Sequence, residues 1–318
     1  MDIKTDKNVN TEILSEVLNG LNQNPKMLPS KYLYDERGSQ LFDEICELEE
    51  YYPTRTEMQI MQDNIIEIGK LLGEGTLLIE LGSGSSQKIK LLLDHIPGLA
   101  GYIPIDISSE HLLNSCKVLQ EEYPDLNIFP LAADYTNSFS LPKLEIKYDH
   151  KAIYFPGSTI GNFTKKKAKE FINRIANITG ENGGLIIGVD LKKDKKILED
   201  AYNDRKGITA EFNLNILNHL NDEINSDFDL VNFKHYAFFN EVEDRIEMHL
   251  ISTKDQTVQI GDSSIEFNTW EHIITEYSYK YSLEEFEILA NDKFELKKYW
   301  IDDNNLFSIQ YFKKRDYN

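Results

Sequence analysis

The chain has 318 residues, 41% of them apolar and 28% charged, enough for one large domain or two ordinary ones with a real core. Its 54 acidic against 34 basic residues leave a net charge of −20, which makes phosphate backbones and anionic membranes poor partners, so neither nucleic acid nor membrane is expected. Two isolated cysteines, Cys46 and Cys116, lie in no metal-ligand spacing; they point to a reducing compartment, with both buried as small hydrophobes and no metal bound.

The polar start Met1-Asp2-Ile3-Lys4 is unlike a signal peptide, and no apolar run reaches the ~18 residues that a membrane span needs, so a cytoplasmic location is expected. Residues 1–10 read as frayed. Ile13, Leu14, Val17, Leu18 and Leu21 have helical spacing and predict a helix over 11–21, with turns at Asn24-Pro25 and Pro29. A short helix is predicted over 40–48. Thr54 is expected to cap a long amphipathic helix through Leu72, with Met58, Ile60, Met61, Ile65, Ile66 and Ile68 inward.

Strands and helices then alternate. Strands are predicted at 76–81, 100–105, 127–132, 151–156 and 184–189, with helices at 86–97, 108–121 and 164–178. Alternation with nearly all-apolar strands indicates a parallel sheet covered on both faces. Residues 193–224 read as mostly helical. Over 231–281, period-2 runs such as Ile246-Glu247-Met248-His249-Leu250-Ile251 suggest antiparallel strands. A helix at 282–290 follows, then strands at 294–300 and 306–312 joined through Asp302-Asp303-Asn304-Asn305 as a hairpin. Five strands with crossover helices, then a helix and a closing hairpin, is the order of a class I methyltransferase. The fold expected is therefore α/β: a Rossmann-like class I methyltransferase domain at 55–191 and 281–318, with an inserted α+β substrate-binding lobe made of 1–54 and 192–280.

The glycine turn names a cofactor class. Leu77-Leu78-Ile79-Glu80-Leu81-Gly82-Ser83-Gly84-Ser85-Ser86 is an apolar strand running into a glycine turn and a helix start, and Asp106 closes the next apolar run 24 residues after Gly82. Glycines let backbone approach a nucleoside, and a strand-end acid can accept both ribose hydroxyls. A dinucleotide site wants a third glycine, and here Gly84 is followed by Ser85, Ser86 and Gln87. That departure points to S-adenosylmethionine. Gly82, Ser83, Gly84, Lys88, Asp106, Asp134 and Tyr135 are the candidate cofactor residues, with Asp134-Tyr135 placed after the third strand to meet an adenine. The competing readings are an ordinary strand-to-helix turn and, for Asp106, a helix cap.

Longer motifs carry a resemblance. Tyr34-Asp35-Glu36-Arg37-Gly38-Ser39-Gln40-Leu41-Phe42-Asp43, Glu50-Tyr51-Tyr52-Pro53-Thr54-Arg55-Thr56-Glu57, Gly157-Ser158-Thr159-Ile160-Gly161-Asn162, residues 202–213 and Arg245-Ile246-Glu247-Met248 occur in order from about residue 25 to the end. Together they resemble the L-histidine Nα-methyltransferases of ergothioneine biosynthesis, which convert histidine to the trimethylated betaine hercynine with three S-adenosylmethionines. The resemblance implies that Tyr51, Asn162 and Tyr202 contact the amino acid and that Tyr34 lies near its amine. It also implies that Glu276 and Ser278 hydrogen-bond an imidazole against which Met248 packs. Gly157 is a further candidate, through its carbonyl. Tyr34 and Asn162 are the candidate catalytic residues. The expected partner is a small molecule, L-histidine, and a monomer is expected.

Each residue has a plainer reading. Asn162 could cap the helix from 164, Tyr34, Tyr51 and Tyr202 could be packing tyrosines, Met248 could be core, and Glu276 could lie on a solvent face. His249 and His272 are isolated strand histidines rather than metal ligands. A different amino acid or an imidazole metabolite as substrate, and a cofactor-binding module without catalysis, are the competing functions.

Overall fold

A computed structural model of the chain describes residues 10–84, 87–137 and 139–315. The first elements are α1 (Thr11–Leu21), β1 (Lys26–Met27), α2 (Glu36–Cys46), α3 (Tyr52–Leu72), β2 (Thr76–Leu81), α4 (Gln87–His95) and β3 (Gly101–Asp106). Next come α5 (Ser109–Glu122), β4 (Leu131–Ala132), β5 (His150–Phe155), α6 (Lys165–Thr179), β6 (Gly184–Asp190), α7 (Lys195–Asp200) and α8 (Ile208–Ile224). The strands β7 (Phe233–Asn240), β8 (Arg245–Ser252), β9 (Gln256–Ile260), β10 (Ser263–Phe267) and β11 (His272–Tyr279) lead to α9 (Leu283–Ala290), β12 (Phe294–Ile301) and β13 (Phe307–Lys314). The chain divides into two compact units, one of residues 51–195, 241–245 and 278–318, the other of residues 1–50, 196–240 and 246–277.

The first unit is built on a seven-stranded sheet in the order β12-β13-β6-β5-β2-β3-β4. β2 runs parallel to β3 and β5, β5 to β6 and β3 to β4, while β13 is antiparallel to both β6 and β12. This is the class I methyltransferase arrangement. The chain starts at the central β2, moves outward through β3 and β4, then returns to β5 on the other side. The reversal makes a crevice at the carboxyl ends of β2 and β5, where open α/β sheets hold ligands. Every residue of β2 and β6 is buried, which is why both read as largely apolar runs, with Thr76 and Glu80 in β2 and the closing Asp190 in β6 as the exceptions. Ile60, Met61, Ile65, Ile68 and Leu72 of α3 join one core cluster with Leu78 of β2 and Ile309 of β13.

Helix starts differ from expectation where caps decide them. α3 begins at Tyr52 with Pro53 in its first turn, so Thr54 is not the cap; proline's fixed φ and missing N–H suit that position. Ile66 is 64% exposed rather than inward, because it falls off the stripe marked by Ile65, Ile68 and Leu72. α2 begins four residues before the predicted start, because the Asp35 side chain accepts the Gly38 N–H at 2.7 Å. The predicted strand at 127–132 shortens to Leu131–Ala132 with a bridge at Ile128, as befits the sheet's edge. Cys46 is only half-buried, Cys116 is buried, and neither forms a disulfide. No helix among the described residues is long and apolar enough to cross a membrane.

The second unit carries a four-stranded sheet, β1-β11-β8-β7, in which β1 pairs parallel with β11, and an antiparallel pair, β9 with β10. α8 packs on α1, α2 and β7. The predicted helical stretch is two helices, separated where Gly207 takes a left-handed φ of 78° before α8.

Candidate functional site

The glycine turn opens directly from β2. Gly82 has φ +74° and its N–H donates to the Ile105 carbonyl at 2.8 Å, tying the turn to β3. Gly84 has φ +40°, and a methyl group added there would meet nothing within 4 Å. Between them Ser83 is buried, and its hydroxyl finds no hydrogen-bond partner among the described residues. Ser85 and Ser86 lie outside the described residues.

Asp106 ends β3 beneath this turn. One carboxylate oxygen accepts the Ser108 N–H at 3.0 Å and the other the Gly84 N–H at 3.4 Å. A carboxylate offers about four acceptor sites, so capacity remains for two hydroxyl donors. Ser108 is the N-cap of α5 and makes no side-chain cap bond. The Tyr135 ring lies over Gly82, its hydroxyl 3.4 Å from where a Cβ would be, and stands edge-on to Phe155 and Phe171. Burial, with Asp106 and Asp134 nearby, pushes the Tyr135 phenol above its usual range and keeps it a protonated donor.

Asp134 serves its own turn, accepting from the Thr136 N–H at 2.9 Å, the Thr136 hydroxyl at 2.5 Å and the Asn137 amide at 2.9 Å. Lys88 ion-pairs with the fully buried Glu57. An open glycine turn, an unpartnered buried hydroxyl, and a strand-end carboxylate with spare lone pairs beneath an aromatic ring together fit an adenosyl group.

A second group of residues sits at the ends of β5 and β6. Glu57 accepts the Gly157 N–H at 3.0 Å on each oxygen, so one carboxylate holds both Lys88 and the turn after β5. That turn is unusual in backbone: Gly157 has φ +72° and Ser158 φ +56°. Asn162 closes the one-turn helix Thr159–Asn162. It is not the cap of α6. Thr164 is, its side chain accepting the Lys167 N–H at 3.3 Å. Tyr51 is 9% exposed and precedes α3 without a side-chain capping bond.

Beyond this turn lies a cluster that pattern reading missed. Asp190, at the end of β6, accepts the Tyr52 hydroxyl at 2.7 and 2.8 Å, ion-pairs with Lys193, and ion-pairs with Lys280 at 2.7 Å. Its backbone N–H donates to Ser158 Oγ at 2.9 Å. Burial alone would raise the Asp190 carboxyl, but the two ammonium groups outweigh it and hold it below its usual range. Burial likewise lowers Lys193 to about 8. Lys280 also donates to Ser278 Oγ at 2.8 Å. The available signal was the acid that ends an all-apolar strand, and a lysine two residues after Ser278 in the same alternation.

The other candidates, Ser278 apart, lie in the second unit. Tyr34 stands edge-on between Phe42 and Phe212, with centroids 5.6 and 5.4 Å away. Tyr202 is 8% exposed, and its carbonyl meets His235 Nε2 at 2.9 Å. Met248 is fully buried in β8, where Ile246 to Leu250 are all covered. In β11 the Thr275 hydroxyl donates to Asn213 of α8 at 2.5 Å. Alternation then sends Glu276 and Ser278 to the opposite face. Glu276 is 8% exposed, so it is no solvent-face acid. On the same face of β11, His272 stacks on His249 at 4.6 Å, and His249 Nε2 is 3.1 Å from Glu247. Among the described residues no group of three or more His, Cys, Asp and Glu side chains is arranged to hold a metal ion.

Comparison with known proteins decides the family. The profile described as "Histidine-specific methyltransferase, SAM-dependent" matches residues 13–314. The chain belongs to this family. It is accordingly an S-adenosylmethionine-dependent methyltransferase, and the glycine turn, Asp106 and Tyr135 are its candidate cradle for the cofactor. The methyltransferase is 38% identical over 272 residues to a protein of Mycobacterium tuberculosis named histidine N-alpha-methyltransferase, covering 84% of this chain and 83% of that one. It is 37% identical over 301 residues to the like-named protein of Mycolicibacterium smegmatis, covering 92% of each. A Neurospora crassa protein named ergothioneine biosynthesis protein 1 is 31% identical over 283 residues, which are 83% of this chain and 30% of that much longer one.

Proposed function

We propose that this methyltransferase acts on the α-amino nitrogen of L-histidine, three times in succession, to give hercynine, in the manner of ergothioneine biosynthesis. One observation carries the reading beyond the family name. Glu276 is a buried carboxylate that shares a strand face with Ser278, and a carboxylate there favours a substrate side chain with an N–H to donate over a glycine or an apolar one. An imidazole has such an N–H.

The roles follow from the chemistry of each group. The Asn162 amide and the Tyr202 hydroxyl donate to the substrate carboxylate. Tyr51 contacts the amino acid, and Tyr34 and the Gly157 carbonyl steer the amine, through water where the reach is long. Glu276 accepts an imidazole N–H, Ser278 meets the other nitrogen, and Met248 packs on the ring. S-adenosylmethionine supplies an electrophilic methyl on a sulfonium, held by Gly82, Ser83, Gly84, Asp106 and Tyr135, with Asp134 and Lys88 at the margin. Displacement at that methyl needs the neutral amine in line, so alignment by these side chains supplies most of the rate. The cofactor domain is assigned to 55–191 and 281–318, the substrate lobe to 1–54 and 192–280, and the location to the cytoplasm.

The test is to incubate the purified protein with S-adenosylmethionine and a panel of free amino acids and follow mass shifts. Histidine gaining one, two and three methyl groups is the expected result. Methylation of another amino acid in preference, or none of histidine, overturns the proposal.

A further inference from the structure

Glu57 sits in the second turn of α3 with its carboxylate closed off from solvent. Lys88, the second residue of α4, ion-pairs with Oε2, and the Gly157 N–H is 3.0 Å from each oxygen. Lys88 thus ties Glu57 to the helix that follows the glycine turn of β2. Gly157 ties it to the turn that follows β5, the strand paired with β2. Stability by itself does not favour a carboxylate at this point. A buried ion must recover its lost hydration from its partners, and a well-packed apolar group of similar volume is often as stable. β6 also gives up a side chain here: a Cβ on Gly188 would overlap Glu57 Oε1 and crowd the Phe307 ring, and a glycine inside a strand weakens it. Both sacrifices serve one contact.

The Gly157 carbonyl, which the proposed function gives to the amine, is bracketed by two anchors. Glu57 holds the N–H before it, and Ser158 Oγ after it accepts the Asp190 N–H at 2.9 Å. Gly157 and Ser158 both take left-handed φ, +72° and +56°, and a serine in that region is held there by its surroundings. We propose that Glu57 is a positioning residue for methyl transfer: one carboxylate fixes the amine-side turn relative to the start of α4 on the cofactor side, so that the nitrogen lone pair lies in line with the sulfonium methyl. This inference rests on the reading above that places the substrate amine at the Gly157 turn. Glu57 moves no proton, and it acts through Gly157 and Lys88 rather than on a reactant. Displacement is steep in geometry, since a misplacement of about 1 Å can cost about a hundredfold in rate. The contacts that set affinity can persist through the same shift.

The test separates rate from affinity. Glu57→Gln keeps the size of the side chain. Because the Gly157 N–H lies 3.0 Å from both oxygens, the new NH2 group faces a donor whichever way the amide lies. With enzyme in excess over S-adenosylmethionine and histidine saturating, the single-turnover rate of the first methylation is expected to fall about 30-fold. The dissociation constant for S-adenosylhomocysteine by calorimetry, and the histidine concentration that gives half the maximal rate, should each stay within about threefold of wild type. A saturated rate within about threefold of wild type overturns the proposal, whatever happens to the urea midpoint. So does a rate loss matched by an equal loss of either affinity, which would make Glu57 a structural or binding residue.

Gly188→Ala reaches the same contact by another route. It keeps the carboxylate and its charge but displaces it, because the added methyl overlaps Oε1. The single-turnover rate is expected to fall about tenfold with both affinities held, and an unchanged rate counts against the proposal. This variant also carries the test if Glu57→Gln does not fold. A wild-type enzyme that leaves histidine unmethylated removes the underlying functional reading instead, and the same rates are then taken with the amino acid that the enzyme does methylate.

Discussion

The glycine turn after β2 and the Asp190 cluster after β6 stand at the carboxyl ends of strands in one sheet, and they are built in opposite ways. The turn is made of backbone: two glycines at positive φ, an open position at Gly84, and a buried Ser83 hydroxyl with no partner among the described residues. The cluster is made of side chains that satisfy one another: Asp190 between two ammonium groups and a phenol. A surface that must approach a ligand closely keeps its polar groups available. A support that must hold a side chain in one orientation saturates them. The contrast predicts that damage to the cluster appears first as lost stability, and damage to the turn first as lost cofactor affinity.

The largest effect is expected at Asp190. Asp190→Ala strands two buried ammonium groups and should destabilise the protein by about 3–5 kcal/mol in urea unfolding. Because the Asp190 carboxyl is held below its usual range, its contribution is present above the ordinary Asp pKa and is lost as pH falls through the lower folded value. The variant should therefore lose the steep acid end of the stability profile; an unchanged profile would show that the cluster is not the saturated support described.

Asp106→Asn should behave in the converse manner. S-adenosylhomocysteine binding by calorimetry is expected to weaken about 30-fold while urea stability barely moves. A loss confined to stability would reduce Asp106 to a loop-holding acid.

Glu80 sharpens the comparison, since it lies in β2 just before the turn yet is buried like the cluster. It accepts the Tyr102 hydroxyl, and burial raises its pKa to about 8. A carboxyl whose folded pKa is raised contributes stability that is full below its unfolded pKa, and that stability is lost as pH rises through the folded value. Wild-type stability should accordingly fall between about pH 4.5 and 8 on this account. Glu80→Gln should flatten that slope and be about 1–2 kcal/mol more stable than wild type at pH 9; thermal unfolding across the range checks it. The smallest effect belongs to Gly84→Ala, about 1 kcal/mol of stability from backbone strain alone, since the added methyl meets no neighbour.

Much of the backbone around the candidate cofactor turn was legible in the sequence. β2 matches its predicted bounds, and the strand-turn-helix sequence with an acid ending the next strand is a local pattern. The plainer reading of Asn162 as a cap fell only when Thr164 was seen to cap α6. Both residues suit that role by type, and only geometry separates them. The burial of Glu276 was equally hidden, because an acid in an alternating strand looks the same whether its face meets solvent or a covering layer.

Local order along the chain determined the elements, the class I methyltransferase arrangement and the chemistry of the glycine turn. Each of these depends on periodicity, on φ preference, or on residues within one strand-turn-helix unit. Tertiary structure alone decided that Glu57 ties Lys88 to the Gly157 turn and that Asp190 joins Tyr52, Lys193 and Lys280 beside Ser278. Those partners are up to 228 residues apart, as Tyr52 and Lys280 show. No spacing rule links them, because what selects a buried ion's partner is the need to satisfy it in three dimensions.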